Sequence, residues 1–335
     1  MDILYQFNNN YAIYAGVSII SLFENNKNEK DIVIHILDDM SDPISDINKN
    51  LYMEIANKYE RTIIIYDTHN LVALIKDLRI PTYRNCYAAN MRLFLDKIIP
   101  DSVNKILYLD ADTIITGSLN NLYSLDLGNK VLGMALECQG NPIKSKIGLK
   151  KDDCYYNSGV ILYDLAQWRA QNCSISIINH AKNVRSKYIS PDQDLLNVAL
   201  RDKIKLIDLR YNYQPFHYLY DDKLYKKTFN VSPYYSLEEL RKARNNICII
   251  HCYRFMGNFP WHKNSNHPNE KLWDSYLAQS PWKNFEKIES NEMLLIRMEK
   301  ILKKLMPSYF FLKSFITAQK IRMNYLEFKC KKTQN

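Results

Sequence analysis

Two aspartates, Asp110 and Asp112, stand one residue apart at the end of the apolar run in ILYLDADTI, residues 106–114. Burying acids in such a run is costly unless something compensates their charge. Two carboxylates aimed at one point suit a hard divalent cation, which prefers oxygen ligands. Helix capping or a turn hydrogen bond is the structural alternative for each. A histidine, His251, stands in the later apolar run ICIIHC, residues 247–252. Taken alone, a histidine there reads as a hydrogen-bonded core residue. CIIHC also resembles half of a soft-metal site, but structural zinc needs four ligands and no second Cys/His pair stands at suitable spacing.

Elements must bring these residues together. Residues 1–7, 31–39, 61–67 and 105–110 are apolar runs that read as buried strands. Helical patterns separate them over 11–26, 44–59 and 87–100, the last stopped by Pro100. Strands alternating with helices predict an α/β fold, a mixed and mostly parallel sheet flanked by helices. Further strands are expected at 130–137, 157–165 and 247–252, with a polar Lys-rich loop over 139–153 and a helix from Pro191 over 191–201. Ligands of open α/β sheets bind at the carboxyl ends of the strands, where Asp110 and Asp112 fall. The 335 residues, 47% hydrophobic and 24% charged, are those of a globular chain with a sizeable core. Acidic Asp2 after Met1 and the shortness of the 11–23 apolar run predict neither a signal peptide nor a spanning helix. Seven scattered cysteines predict free thiols and a cytoplasmic location.

The DADTI stretch resembles the DxDx(T/V) nucleophile motif of haloacid dehalogenase-like phosphatases, but that motif ends a first strand and at least three strands precede it here. Five blocks in order carry another resemblance: MDILYQFNNNYA, ILYLDADTIITGSL, YYNSGVILYDLAQWR, PDQDLLN and H…GNFPWH, over residues 1–262. Together they resemble glycosyltransferase family 8, retaining enzymes of the GT-A fold, and within it bacterial lipooligosaccharide galactosyl- and glucosyltransferases.

The resemblance implies a UDP-hexose donor, galactose favoured over glucose, and a bacterial surface glycan as acceptor. It implies Asp110, Asp112 and His251 as ligands of Mn2+, with Mg2+ as the second choice; mixed O/N ligation suits Mn2+ better. Asn8, Asn9, Asn10 and Tyr11 match the loop that holds uracil and ribose, although Asn10 could equally cap the following helix. Arg92 matches an arginine near sugar and diphosphate, against the plainer reading of a surface arginine. Asn157, Asp192 and Gln193 match sugar-contacting positions, Gln193 facing the anomeric carbon and Asp192 stabilising developing positive charge. Asp192 could also simply cap its helix. Ala111 and Gly257 complete the donor-binding set. Two departures stand out: Phe259 occupies the position of a family lysine that contacts the diphosphate, and Asn8 replaces an aspartate. Arg254, His262 or Lys263 are the available substitutes for that charge. A catalytically inactive glycan-binding relative is the non-enzyme alternative.

Residues 293–335 carry ten Lys/Arg against two Glu, so +8 of the net charge of +9 lies there. The sequence therefore divides into a catalytic domain, 1–280, and a basic amphipathic helical segment, 281–335. Over 294–305 the apolar residues fall on one helical face and the lysines on the other. That pattern predicts docking on the anionic inner face of a cell membrane rather than nucleic-acid binding. Packing of the apolar face back onto the catalytic domain is the competing expectation.

Overall fold

The central strands, Asp2–Phe7 and Lys105–Leu109, are mostly apolar because both of their faces are covered. In the computed structural model, which describes all residues except 83–85, 140, 185–187, 189, 254–257, 291–293 and 333–335, the strands are β1 (Asp2–Phe7), β2 (Val33–Asp38), β3 (Thr62–Asp67), β4 (Lys105–Leu109), β5 (Thr113–Ile115), β6 (Leu132–Leu136), β7 (Tyr156–Asp164), β8 (Ile204–Leu206) and β9 (Ile249–His251). Seven of them form one sheet in the order β3-β2-β1-β4-β7-β6-β8. The β1–β2, β2–β3, β1–β4 and β6–β8 pairs are parallel, and β7 runs antiparallel to both β4 and β6. The sheet is thus mixed and mostly parallel, as the sequence pattern predicts. Ile3, Tyr5 and Phe7 enter the core on one face, and Leu4 enters the core on the other, following the two-residue period of a strand.

The helix that follows β2 carries legible end signals. Ser45 caps Asp46–Tyr59 by accepting from Asn48 N at 3.3 Å, and Glu60 ends it in the left-handed region at φ 52°. The helix Ala12–Asn25 is apolar nearly all round because it is buried between the sheet and later segments. A β-carbon at Gly16 would lie 2.1 Å from Trp282, so only glycine lets residue 282 seat there.

Three elements differ from the sequence-based expectation. The helix expected over 87–100 is an α-turn, Ala88–Met91, followed by a 3-10 stretch, Arg92–Lys97, broken at Phe94 (φ −137°, ψ 39°). Side chains from elsewhere bond its carbonyls: Tyr163 OH donates to Arg92 O at 3.1 Å and Gln6 Nε2 to Ala89 O at 3.1 Å. The Lys-rich loop over 139–153 holds a short helix, Asn141–Lys144, and a buried ammonium, since Lys144 Nζ donates to Lys151 O at 3.2 Å and Ser232 O at 2.6 Å. The late strand β9 does not join the large sheet. It pairs antiparallel with β5, three residues too short to read from pattern, with Thr113 opposite His251.

The chain from 281 to 288 packs on the catalytic body. Trp282 is buried, its Nε1 donating to Asn48 Oδ1 at 2.9 Å, and Lys287 reaches Glu270 and Asp274. Beyond it lie the helices Leu294–Leu305 and Ser308–Lys332. The second buries Phe311, Leu312 and Phe315 in the core that also holds Phe216. The first leaves Met298, Ile301, Leu302 and Leu305 between 42% and 76% exposed.

Candidate active site

The parallel strands β1, β4 and β6 all end at one edge, and antiparallel β7 begins there. That edge therefore receives Asn8 after β1, Asp110 after β4, Glu137 after β6 and Asn157, Ser158 and Gly159 at the start of β7. Asp110 N donates to Gly159 O at 2.8 Å, which ties the first aspartate to that strand. The small β5–β9 sheet brings the histidine across, because Cys252 N donates to Asp112 O at 2.8 Å and Thr113 faces His251.

Ligand atoms of Asp110, Asp112 and His251 all lie within 4.8 Å of one another, the single metal-competent group among the described residues. His251 Nε2 stands 3.4 Å from Asp110 Oδ2 and 3.3 Å from Asp112 Oδ1. Its Nδ1 lies 3.0 Å from Asn212 Oδ1, an acceptor that fixes the proton on Nδ1 when the ring is neutral and leaves the Nε2 lone pair for a cation. Burial lowers the basicity of the imidazole, but the Asp112 and Asp110 carboxylates overcome it and push the pKa up to about 10. Two acids that hold a proton on the histidine between them are a set whose charge a divalent cation would match. Neither Cys248 nor Cys252 belongs to it, and Cys248 Sγ donates instead to Ser118 O at 3.1 Å.

Arg92 is a buried hub, not a surface residue. Its Nη2 lies 2.9 Å from Asp110 Oδ1 and its Nη1 3.5 Å from Asp192 Oδ2, while the guanidinium stacks 4.0 Å over the Tyr108 ring. Tyr108 OH also donates to Asp110. Burial works against ionising Asp110, but Arg92 and then His251 hold its carboxyl well below the ordinary carboxylate range. Asp192 goes the other way: burial raises it, Arg92 opposes that, and Asp110 adds to the rise. One arginine thus serves two carboxylates of unequal acidity.

Asp192 does not cap its helix. Ser190 holds the N-cap position of Pro191–Ala199 and Asp192 lies in the first turn, accepting from Ser158 Oγ at 3.0 Å. Gln193 Oε1 accepts from Ser158 N at 2.9 Å, and its Nε2 donates to Tyr155 OH, 2.9 Å away. Tyr155 OH donates in turn to Asp194 at 2.7 Å, so the amide orientation is set by a buried chain. Asn157 Nδ2 donates to Glu137 Oε2 at 2.7 Å, and its Oδ1 accepts from Asn212 Nδ2 and Gly159 N.

At the other end of the edge the asparagines divide their work. Asn9 Oδ1 accepts from Ser45 N and Asn48 Nδ2, and Asn10 Nδ2 donates to Asp42. Tyr11, rather than Asn10, precedes the helix, and no side chain caps it. Asn8 Oδ1 is buried without a hydrogen-bond partner among the described residues. Ala111 is buried beside the aspartates. Gly257 and Arg254 lie outside the described residues. Phe259, in place of the family lysine, stacks on Trp261 (4.5 Å, 8°), which stacks on Tyr14 (3.9 Å, 13°). Of its candidate substitutes, Lys263 pairs with Glu289 and His262 is buried, its Nδ1 accepting from Phe259 N.

Residues 2–265 match the model of glycosyl transferase family 8. The chain belongs to that family. The family 8 chain is 27% identical over 337 residues to the lipopolysaccharide glucosyltransferase WaaO of Escherichia coli K12, covering 94% of this chain and 88% of that one. It is 25% identical to a lipopolysaccharide 1,3-galactosyltransferase of Salmonella typhimurium, covering 84% and 79%. Its fold matches the galactosyltransferase LgtC, solved with donor and acceptor sugar analogs, at a TM-score of 0.68 and 22% identity over 84% of this chain and 96% of that one. The GT-A fold and a glycosyltransferase family follow, and the phosphatase reading of DADTI falls, its aspartates following the fourth strand.

The sequence reading missed Glu137, Asn212, Tyr108 and Tyr155. Glu137 had a signal, an acid ending an apolar run much as Asp110 does. Asn212 had none, since its role depends on the β5–β9 pairing.

Proposed function

We propose that this family 8 glycosyltransferase moves a hexose, galactose in preference to glucose, from UDP to a glycan of the lipopolysaccharide type with retention at the anomeric carbon. The observation that carries the reading is the convergence of Asp110, Asp112 and His251 at the edge where Arg92 joins them to Asp192 and Gln193. Asp110, Asp112 and His251 would hold Mn2+, or Mg2+ in its place. Bound there, the ion would supply positive charge against the departing nucleoside diphosphate. Asn8 offers its unpaired carbonyl to the imide N–H of uracil. Asp192, paired with Arg92, would accept from sugar hydroxyls and stabilise positive charge developing at the anomeric carbon. The position that faces that carbon carries an amide, Gln193, rather than a carboxylate nucleophile, which favours attack from the face the leaving group departs.

The relatives named as lipopolysaccharide transferases support that acceptor class. No helix among the described residues is long and apolar enough to cross a membrane. The exposed apolar side of Leu294–Leu305, with Lys303 and Lys304 in its last turn, supports attachment to an anionic inner membrane surface, where a lipid-linked acceptor would be met. The test is UDP release from a panel of UDP-sugars with and without Mn2+, followed by NMR of the product. Metal-independent release, absence of release from every UDP-hexose, or an inverted linkage would overturn the reading.

A further inference from the structure

Glu137, just past the end of β6, closes a chain of side chains that begins at His251. His251 Nδ1 lies 3.0 Å from Asn212 Oδ1, and Asn212 Nδ2 donates to Asn157 Oδ1 at 2.8 Å. Asn157 Nδ2 donates in turn to Glu137 Oε2 at 2.7 Å. All four side chains are buried, where an unmade hydrogen bond is costly.

One fixed donor dictates the direction of the whole chain. Gly159 N donates to Asn157 Oδ1 at 2.9 Å, and a backbone N–H can only donate. That turns the Asn157 oxygen toward Asn212 and its amino group toward Glu137. Asn212 must then give its own amino group to Asn157 and its oxygen to His251, which keeps the proton of the neutral ring on Nδ1. Glu137 is the terminal acceptor. Its Oε1 takes Gln139 N at 3.1 Å and the Cys138 thiol at 3.4 Å, and its Oε2 is left to Asn157.

The backbone holds the same segments in register. Tyr213 N donates to Ile249 O at 2.9 Å and His251 N to Tyr213 O at 3.1 Å, which sets Asn212 beside the end of β9. Gln214 Nε2 donates to Leu136 O at 2.7 Å, and its Oε1 accepts from Cys138 N at 2.9 Å, tying that segment to both neighbours of Glu137. The chain thus crosses from the small β5–β9 sheet to the end of the large one.

We propose that Glu137 is a positioning residue for the metal site, acting through Asn157 and Asn212 to hold His251 with Nε2 turned to the cation. A carboxylate bonded directly to a ligating histidine sets its orientation and raises its basicity. Here two amides stand between acid and ring, and aligned hydrogen bonds polarise one another along such a chain. The inference rests on the metal reading above, to which it adds the acid that supports the histidine.

The test is a double-mutant cycle on Mn2+ affinity, measured calorimetrically on the full-length chain without donor or acceptor. Glu137→Gln keeps the shape and removes the charge, and Asn212→Leu cuts the chain beside the ring. Alone, Glu137→Gln is expected to weaken Mn2+ binding about tenfold, the low end for the partners of a metal-binding histidine. In the Asn212→Leu background it should weaken binding no further. The same factor in both backgrounds would mean a charge acting through space or a loosened fold, and overturns the proposal. So does unchanged affinity in Glu137→Gln. Histidine 15N spectra of the unaltered protein loaded with Zn2+ need no variant. Nε2 bound and Nδ1 protonated is the expected state of His251, and an Nδ1 without its proton overturns the chain. Failure of the metal reading shows separately, as no Mn2+ binding by the unaltered protein, and the proposal falls with it.

Discussion

Gly159 lies directly beneath the His251 imidazole: a β-carbon at residue 159 would come within 2.0 Å of Cε1 and 2.6 Å of Nδ1. The ring cannot keep its place over any other residue. Because Asn212 fixes the ring from the far side, displacement breaks the hydrogen bond that orients it as well. Gly159→Ala is expected to weaken Mn2+ binding by about tenfold or more, the usual effect of disturbing the support of a metal-binding histidine. Titration of the metal into the variant, with circular dichroism to check the fold, measures this. Unaltered affinity would show that the imidazole is not a ligand.

The proton that Asp110 and Asp112 hold on His251 makes metal affinity depend on pH. A cation must displace that proton, and the metal-free ring carries a pKa of about 10. Below that value the apparent Mn2+ dissociation constant should fall about tenfold for each unit of rising pH. His251→Ala should bind more weakly and lose this slope. The same shift stabilises the metal-free fold fully below the free imidazole's 6.5, and that contribution fades as pH rises through about 10. Melting temperatures without metal between pH 6 and 9.5 should therefore decline.

Arg92 balances two buried acids, and an uncharged replacement leaves both uncompensated. Arg92→Met is expected to cost about 3 kcal/mol of stability near neutral pH, as breaking buried pairs does. Part of that loss should return in mild acid, because Asp192 is already held above the ordinary range and protonates first. Denaturant melts at pH 7.5 and 5 would test this. Equal destabilisation at both would assign the loss to packing over Tyr108 instead.

The strands and the DxD were legible in the sequence because both are local. An apolar run marks a strand buried on both faces, and an acid closing it marks the strand end. What was not legible depends on chain segments far apart. The sequence reads His251 correctly as a strand residue, yet nothing local says that this strand leaves the main sheet to pair with Thr113–Ile115. Asn9 and Asn10 look like ligands by type, and nothing local says that Asn9 Oδ1 also accepts from Ser45 and Asn48 and that Asn10 Nδ2 also donates to Asp42. The helix expected over 87–100 has a sound pattern, but Tyr163 and Gln6 bond its carbonyls from distant strands. In each case the arrangement is set by partners far away in the chain, which no local pattern records.

The seating of Trp282 against Gly16 predicts where the chain can be shortened. Truncation after Ser290 keeps this contact and the bond to Asn48. Truncation after Ser280 removes both, and losing a buried tryptophan costs about 3 kcal/mol or more. The shorter protein should melt well below the longer one. Indistinguishable melting temperatures would place 281–288 outside the catalytic fold.

The two terminal helices should separate membrane binding from packing. Ser308–Lys332 buries Phe311, Leu312 and Phe315 against the catalytic core, with Phe315 5.8 Å from Phe216, so removing it exposes apolar surface whatever its other role. Leu294–Leu305 is different, because Met298, Ile301, Leu302 and Leu305 face solvent. Basic residues near an anionic bilayer contribute about 1 kcal/mol each, and exposed apolar side chains can enter the headgroup boundary beside them. Replacing those four apolar residues by serine is therefore expected to reduce binding to phosphatidylglycerol vesicles about tenfold or more, while UDP release and melting temperature stay within error. Deleting everything after Ser290 should abolish vesicle binding and also lower stability, since the Phe311–Phe315 packing goes with it. High salt should weaken the unaltered protein's binding without changing its fold. Vesicle binding by the four-serine variant equal to that of the original protein would leave the membrane role to the lysines alone. Equal binding by the truncated chain at low salt would remove it altogether.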